Sequence, residues 1–173
     1  MSNVIKAENY IRNIGYYRLS AYLYPLLKIP KDLHQFKKRS TFHKAITLYR
    51  FDRKLRLLMF DEIEKIEVAV RSTIVSVACE MTGNPFWMTN SAYFANQREF
   101  NDTMALIKKE YDRSREDFIK HFKQKYLEPY PPAWELAEIL PLGVITRIYA
   151  NIRDYKIQKK IAQRFYLNIP VFE

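Results

Sequence analysis

The stretch from Phe42 to Val77 constrains the fold more than any other. Phe42, Ala45, Ile46, Tyr49, Leu55, Leu58, Met59, Ile63, Ile66, Ala69, Val70, Thr73, Ile74 and Val77 recur at steps of three and four. That is the period of a helix face, not the alternation of a strand. Thr41 precedes the stretch as a cap, and Gly83 with Asn84-Pro85 follows it where a helix should stop. Uninterrupted, it would form a rod of about 60 Å at about 1.5 Å per residue, long for a chain of 173 residues. A kink or break is therefore expected between Arg50 and Asp61. Because the chain has only 3 glycines, too few for the tight turns of an all-β fold, it should be all-α, a multi-helix bundle with one long or kinked central helix. With 48% apolar residues it can bury a real core as a single domain over residues 1–173.

Around that centre, shorter elements are marked by caps and prolines. A first helix should start after Ser2 or Asn3 and run to about Asn13; a second should begin near Gly15 and stop by Leu27, since Pro25 and Pro30 follow. Lys31 to Arg39 reads as a basic loop or short helix, and Gly83 to Phe94 as a loop pinned to the core by Phe86 and Trp87. Asn96 or Asn101 can open the next helix, through Met104, Ile107 and Tyr111; Ser114-Arg115-Glu116-Asp117 resembles a capping box for another. Beyond the stiff Pro129-Tyr130-Pro131-Pro132 come a short helix carrying Trp134, Leu136, Ile139 and Leu140, and two more over about 144–152 and 155–165. Asn168-Ile169-Pro170 has the form of a further helix start, so the chain stops where a helix begins.

Charge is distributed unevenly. Residues 1–60 hold thirteen Lys or Arg against Glu8, Asp32 and Asp52, whereas residues 61–173 balance sixteen against sixteen, so the first third carries the whole net charge of +10. Clustered positive charge attracts polyanions, and RNA or DNA is the expected partner, against a solvated basic surface with no specific ligand. Tyr16, Tyr17, Arg18 and Tyr22 combine flat faces for stacking with a planar fork for phosphate. The same block also reads as a packing helix, with Tyr16, Leu19, Leu23 and Leu26 toward a core and Tyr17, Arg18, Tyr22 and Tyr24 at its margin. Arg50, Arg53, Lys54 and Arg56 lie around one helical surface and are the further phosphate-contact candidates.

Catalytic signatures are sparse. His34, His43 and His121 are far apart and show no metal-ligand spacing, and there is no phosphate-cradling glycine loop; in the acidic cluster Glu62 and Glu64 point to different faces, while Asp61 with Lys65 and Glu67 with Arg71 sit four apart as ion pairs do. No metal site, no cofactor and no catalytic residue is assigned. The single Cys79, the lack of a secretory apolar segment and the lack of a membrane-spanning run lead to the expectation of a cytoplasmic protein without membrane contact.

Taken in order, Ile14-Gly15-Tyr16-Tyr17-Arg18-Leu19-Ser20-Ala21-Tyr22, Leu48-Tyr49-Arg50-Phe51-Asp52-Arg53-Lys54-Leu55-Arg56 and Ile63-Glu64-Lys65-Ile66-Glu67-Val68-Ala69-Val70-Arg71-Ser72 resemble the Abi-like (AbiD/AbiF) abortive-infection family. The resemblance continues through Gly83-Asn84-Pro85-Phe86-Trp87, Pro131-Pro132-Ala133-Trp134 and Leu140-Pro141-Leu142-Gly143. It implies a bacterial phage-defence protein with a HEPN-like helical bundle, related in fold to metal-independent endoribonucleases that use an arginine followed shortly by a histidine. Arg71 does not supply that motif: no histidine follows it at the required spacing, and Cys79 and Glu80 do not replace an imidazole. In similar relatives the motif falls beyond the counterpart of Glu173, so a chain shortened at its C-terminus is expected, and a shortened N-terminal segment with it. The resemblance further implies a homodimer. The leading expectation is an RNA-binding defence domain without the ribonuclease motif. The alternatives are an endoribonuclease active only in a longer chain or a dimer, and a protein-interaction module in phage sensing.

Overall fold

In the computed structural model, which describes residues 3–168, the helices follow as α1 (Asn3–Ile14), α2 (Tyr16–Leu23), α3 (Phe42–Thr82), α4 (Gln97–Arg113), α5 (Asp117–Lys125), α6 (Ala133–Glu138), α7 (Leu142–Ala150) and α8 (Tyr155–Arg164). Short 3-10 turns fill several connections, and among the described residues extended pairing is confined to the single bridges Leu27–Phe36 and Phe94–Ile152. The all-α expectation holds. The helix start expected at Asn168 to Pro170 extends outside the described residues.

The break expected between Arg50 and Asp61 is absent, and α3 is continuous over 41 residues. The reason is local: no proline or glycine lies between Phe42 and Thr82, so no residue there interrupts the backbone ladder or strongly favours leaving it. The helix ends where the sequence supplies a residue suited to reversal. Gly83 has φ 63, and its N–H donates to the Cys79 carbonyl at 3.0 Å. A second correction concerns α5, which starts at Asp117 with Glu116 as its flanking residue. The Ser114 hydroxyl receives only the Glu116 N–H, at 3.4 Å, so the reciprocal capping box does not form. Asn96 does cap α4, its side chain accepting from the N–H groups of Arg98 and Glu99 at 3.0 and 3.1 Å.

The residues group into two compact units, one up to Ile63 and one from Glu64 onward. In the first, the buried apolar side chains among the described residues are Leu19, Leu27, Ala45 and Ile46. Its long connection is held by the Leu27–Phe36 bridge and by Lys37, whose ammonium donates to the Pro25 carbonyl at 2.9 Å. The second unit has a larger interior, in which Ile74, Trp87, Phe94, Ile107, Leu136, Ile145, Ile148 and Ile161 are almost wholly buried. Two buried side-chain nitrogens, Arg71 Nε and Trp87 Nε1, have no hydrogen-bond partner there, whereas one buried amide is paired at both ends. The Asn151 amide spans the Asn96 backbone, accepting its N–H at 2.8 Å and donating to its carbonyl at 2.9 Å. Arg71 pairs with Glu67 at 2.6 Å, as its four-residue spacing predicts, and also donates to the Leu140 carbonyl at 3.1 Å.

One part of the periodic pattern does not lead to burial. Leu55, Leu58, Met59, Ile63 and Ile66 belong to the apolar recurrence of α3, yet all are exposed, as are Phe51, Leu57 and Phe60. No helix among the described residues is long and apolar enough to cross a membrane.

Candidate nucleic-acid interface

Gly15, with φ 87, separates α1 from α2 and lets the tyrosine block begin a new helix. Of that block Leu19 goes to the core, while Tyr16, Tyr17 and Arg18 face solvent. Tyr17 is 91% exposed. Tyr16, which the packing reading placed toward the core, is 69% exposed. The block is thus split: one leucine anchors it, and two phenol rings and a guanidinium stand outside.

Tyr22 behaves differently. It is half-buried, sits edge-on to Tyr49 with ring centres 5.4 Å apart, and its hydroxyl donates to the Asp52 carboxylate at 2.5 Å. Arg56 pairs with the same carboxylate at 2.6 Å and approaches the Tyr22 hydroxyl at 3.4 Å. The bond to Asp52, with burial added, holds the Tyr22 phenol above its ordinary range, so it stays a protonated donor. Tyr22 and Arg56, two of the residues the sequence nominates for phosphate and base contact, are therefore brought together around an acid and tie α2 to α3.

The remaining candidates on α3 gather at one place. Arg50, Arg53 and Lys54 line a depression of about 450 Å³ together with Thr47 and Phe51. Arg50 also borders a larger groove of about 670 Å³, whose lining includes Lys6, Tyr10, Phe42 and His43. There the Arg50 guanidinium donates to the Tyr10 hydroxyl and lies 5.8 Å from the centre of that ring. Tyr10 in turn meets Phe42 at 6.2 Å between ring centres. Lys6, Tyr10, Phe42 and His43 are not among the residues that the sequence nominates as site residues. Their signal is spacing: Lys6 and Tyr10 are four apart on α1, and His43 and Arg50 seven apart on α3, each pair on one side of its helix.

Chemically, the first unit offers cations for phosphate and rings for stacking, within one groove and on one exposed turn. Among the described residues no group of His, Cys, Asp and Glu is arranged to hold a metal ion. Cys79, in the second unit, is held as a neutral thiol, because burial raises its pKa.

A model of the family described as Abi-like protein matches residues 9–173. Comparison with curated proteins and with solved structures finds no match.

Proposed function

The chain belongs to the Abi-like protein family, and from that premise we propose that it acts in abortive-infection defence against phage by binding single-stranded RNA through its first unit, on a HEPN-like scaffold. The observation that carries the reading is the convergence of Lys6, His43 and Arg50 with Tyr10 and Phe42 around one groove, in the part of the chain that holds the whole positive excess. In this reading Tyr16, Tyr17 and Arg18 on α2, and Arg53 and Lys54 on α3, supply further contacts. Phosphates would pair with the cations while bases stack on Tyr10, Phe42 or Tyr17.

Anisotropy titration of labelled single-stranded RNA across salt concentrations tests this. Each phosphate contact contributes about −0.7 to the slope of log K against log salt. A quadruple variant, Tyr17→Ala, Arg18→Ala, Arg53→Ala and Lys54→Ala, should flatten that slope by roughly two if three cations each hold a phosphate. Lys6→Ala with Arg50→Ala should weaken binding further. Equal affinity and equal slope in wild type and both variants would remove the proposed surface.

One observation favours a second reading. His43 and Arg50 line the same groove, and an imidazole beside a guanidinium can move a proton while steadying a crowded phosphate. Incubating the protein with labelled RNA and chelator would reveal such cleavage, which His43→Ala should abolish; RNA left intact would rule out this reading.

A further inference from the structure

Between α2 and α3 the chain makes a closed excursion. The Lys28 N–H donates to the Gln35 carbonyl at 2.7 Å and the Lys37 N–H to the Leu26 carbonyl at 2.8 Å, so residues 28–35 form a tip on a short stem. Leu27, almost wholly buried, anchors the stem, and His34, with φ 50, turns the tip back. The aliphatic side chains of the tip do the opposite: Ile29 is 88% exposed and Leu33 60%. With a 3-10 turn over Lys31–Leu33 between them, they lie no more than about 14 Å apart at the backbone. Around them residues 28–39 supply Lys28, Lys31, Lys37, Lys38 and Arg39 against a single acid, Asp32. Lys31 is half-buried over the Tyr24 ring at 3.7 Å, while Lys28, Lys38 and Arg39 are exposed.

From this arrangement we infer that the tip docks on a lipid surface carrying anionic headgroups. Ile29 and Leu33 enter between the headgroups, and Lys28, Lys38 and Arg39 pair with the lipid phosphates around them. The two halves of the tip together select this partner. Cations alone would suit any polyanion, but aliphatic side chains give a nucleobase no ring to stack on, whereas a bilayer accepts apolar groups and offers negative charge at the same depth. Two side chains of this size provide reversible adsorption rather than an anchor. The expectation of no membrane contact rests on the lack of a spanning run and of a secretory segment, and adsorption of a loop tip requires neither. This inference stands apart from RNA binding, since no residue of the tip or its stem is assigned to that role.

Flotation of the purified protein with vesicles, without nucleic acid, provides the test. Wild type should float with phosphatidylcholine vesicles that contain about 30% phosphatidylglycerol, should stay behind with phosphatidylcholine alone, and should be released by added salt. Ile29→Ser with Leu33→Ser should weaken partitioning by roughly a hundredfold. Lys28→Ala with Lys38→Ala should weaken it by roughly thirtyfold, about fivefold for each cation removed. All four side chains are exposed, so helical circular dichroism should not change in either variant. An Ile29→Trp variant should shift its emission to the blue, relative to wild type, when the anionic vesicles are added and not when the neutral ones are. Wild type left unbound at about 1 mM anionic lipid, equal flotation with neutral vesicles, or a serine pair that floats like wild type would each overturn the inference. So would a serine pair that loses RNA and keeps vesicles, which would assign the tip to nucleic acid. Absence of RNA binding with vesicle binding intact would count against the proposed function alone.

Discussion

Tyr22 shows how one hydroxyl changes the role of a residue. Its ring has the features of a stacking platform, but Asp52 lies within reach and the phenol becomes a structural donor. Replacing it with Phe leaves the edge-on contact with Tyr49 and removes a charge-assisted bond, at a cost of about 1 kcal/mol after allowance for its partial exposure. The pH dependence has a definite sign. The folded pKa is raised above the ordinary 10.0, first by the bond to Asp52, so the stabilisation is complete below 10.0 and fades as pH rises through the folded value. Urea midpoints of wild type and Tyr22→Phe should therefore differ most at neutral pH and converge in alkali. A gap that stays constant would show that the hydroxyl bond is not responsible.

At the scale of elements, α3 separates what local rules reveal from what they conceal. Its start after Thr41, its stop at Gly83 and the Glu67–Arg71 pair can all be read from residue order, because caps and four-residue spacings act within one turn. Length argues against its continuity, but the absence of proline and glycine is the better guide. The exposed Leu55, Leu58 and Met59 could not be foreseen either: periodicity shows that a helix has an apolar side, not what covers it. The same limit applies to the groove. Arg50 was identifiable as a cation, whereas its partnership with Tyr10 depends on two helices forty residues apart meeting. Gly83 allows a clean test, since a Cβ added there would meet nothing within 4 Å. Gly83→Ala should cost about 1 kcal/mol through its positive φ alone, read from thermal or urea unfolding. A neutral substitution would mean that the helix end relaxes to another conformation.

For the whole molecule, burial and charge divide along the chain. Buried apolar side chains are few among the described residues of the first unit and numerous in the second, so local stability should follow the same order. Hydrogen exchange measured by mass spectrometry should find amides of α1 and α2 exchanging well before those of α4, α7 and the Ile74 to Ala78 turn of α3. Equal protection in both would contradict this. The basic excess thus sits on the unit expected to exchange first, and the proposed RNA binding predicts that added RNA slows exchange there selectively. Tyr17 sits at the end of that logic. With nine-tenths of its surface bare, it owes folding almost nothing, so a photoreactive analogue installed there should leave the fold undisturbed. Whatever becomes covalently trapped on illumination would be the natural neighbour of that ring.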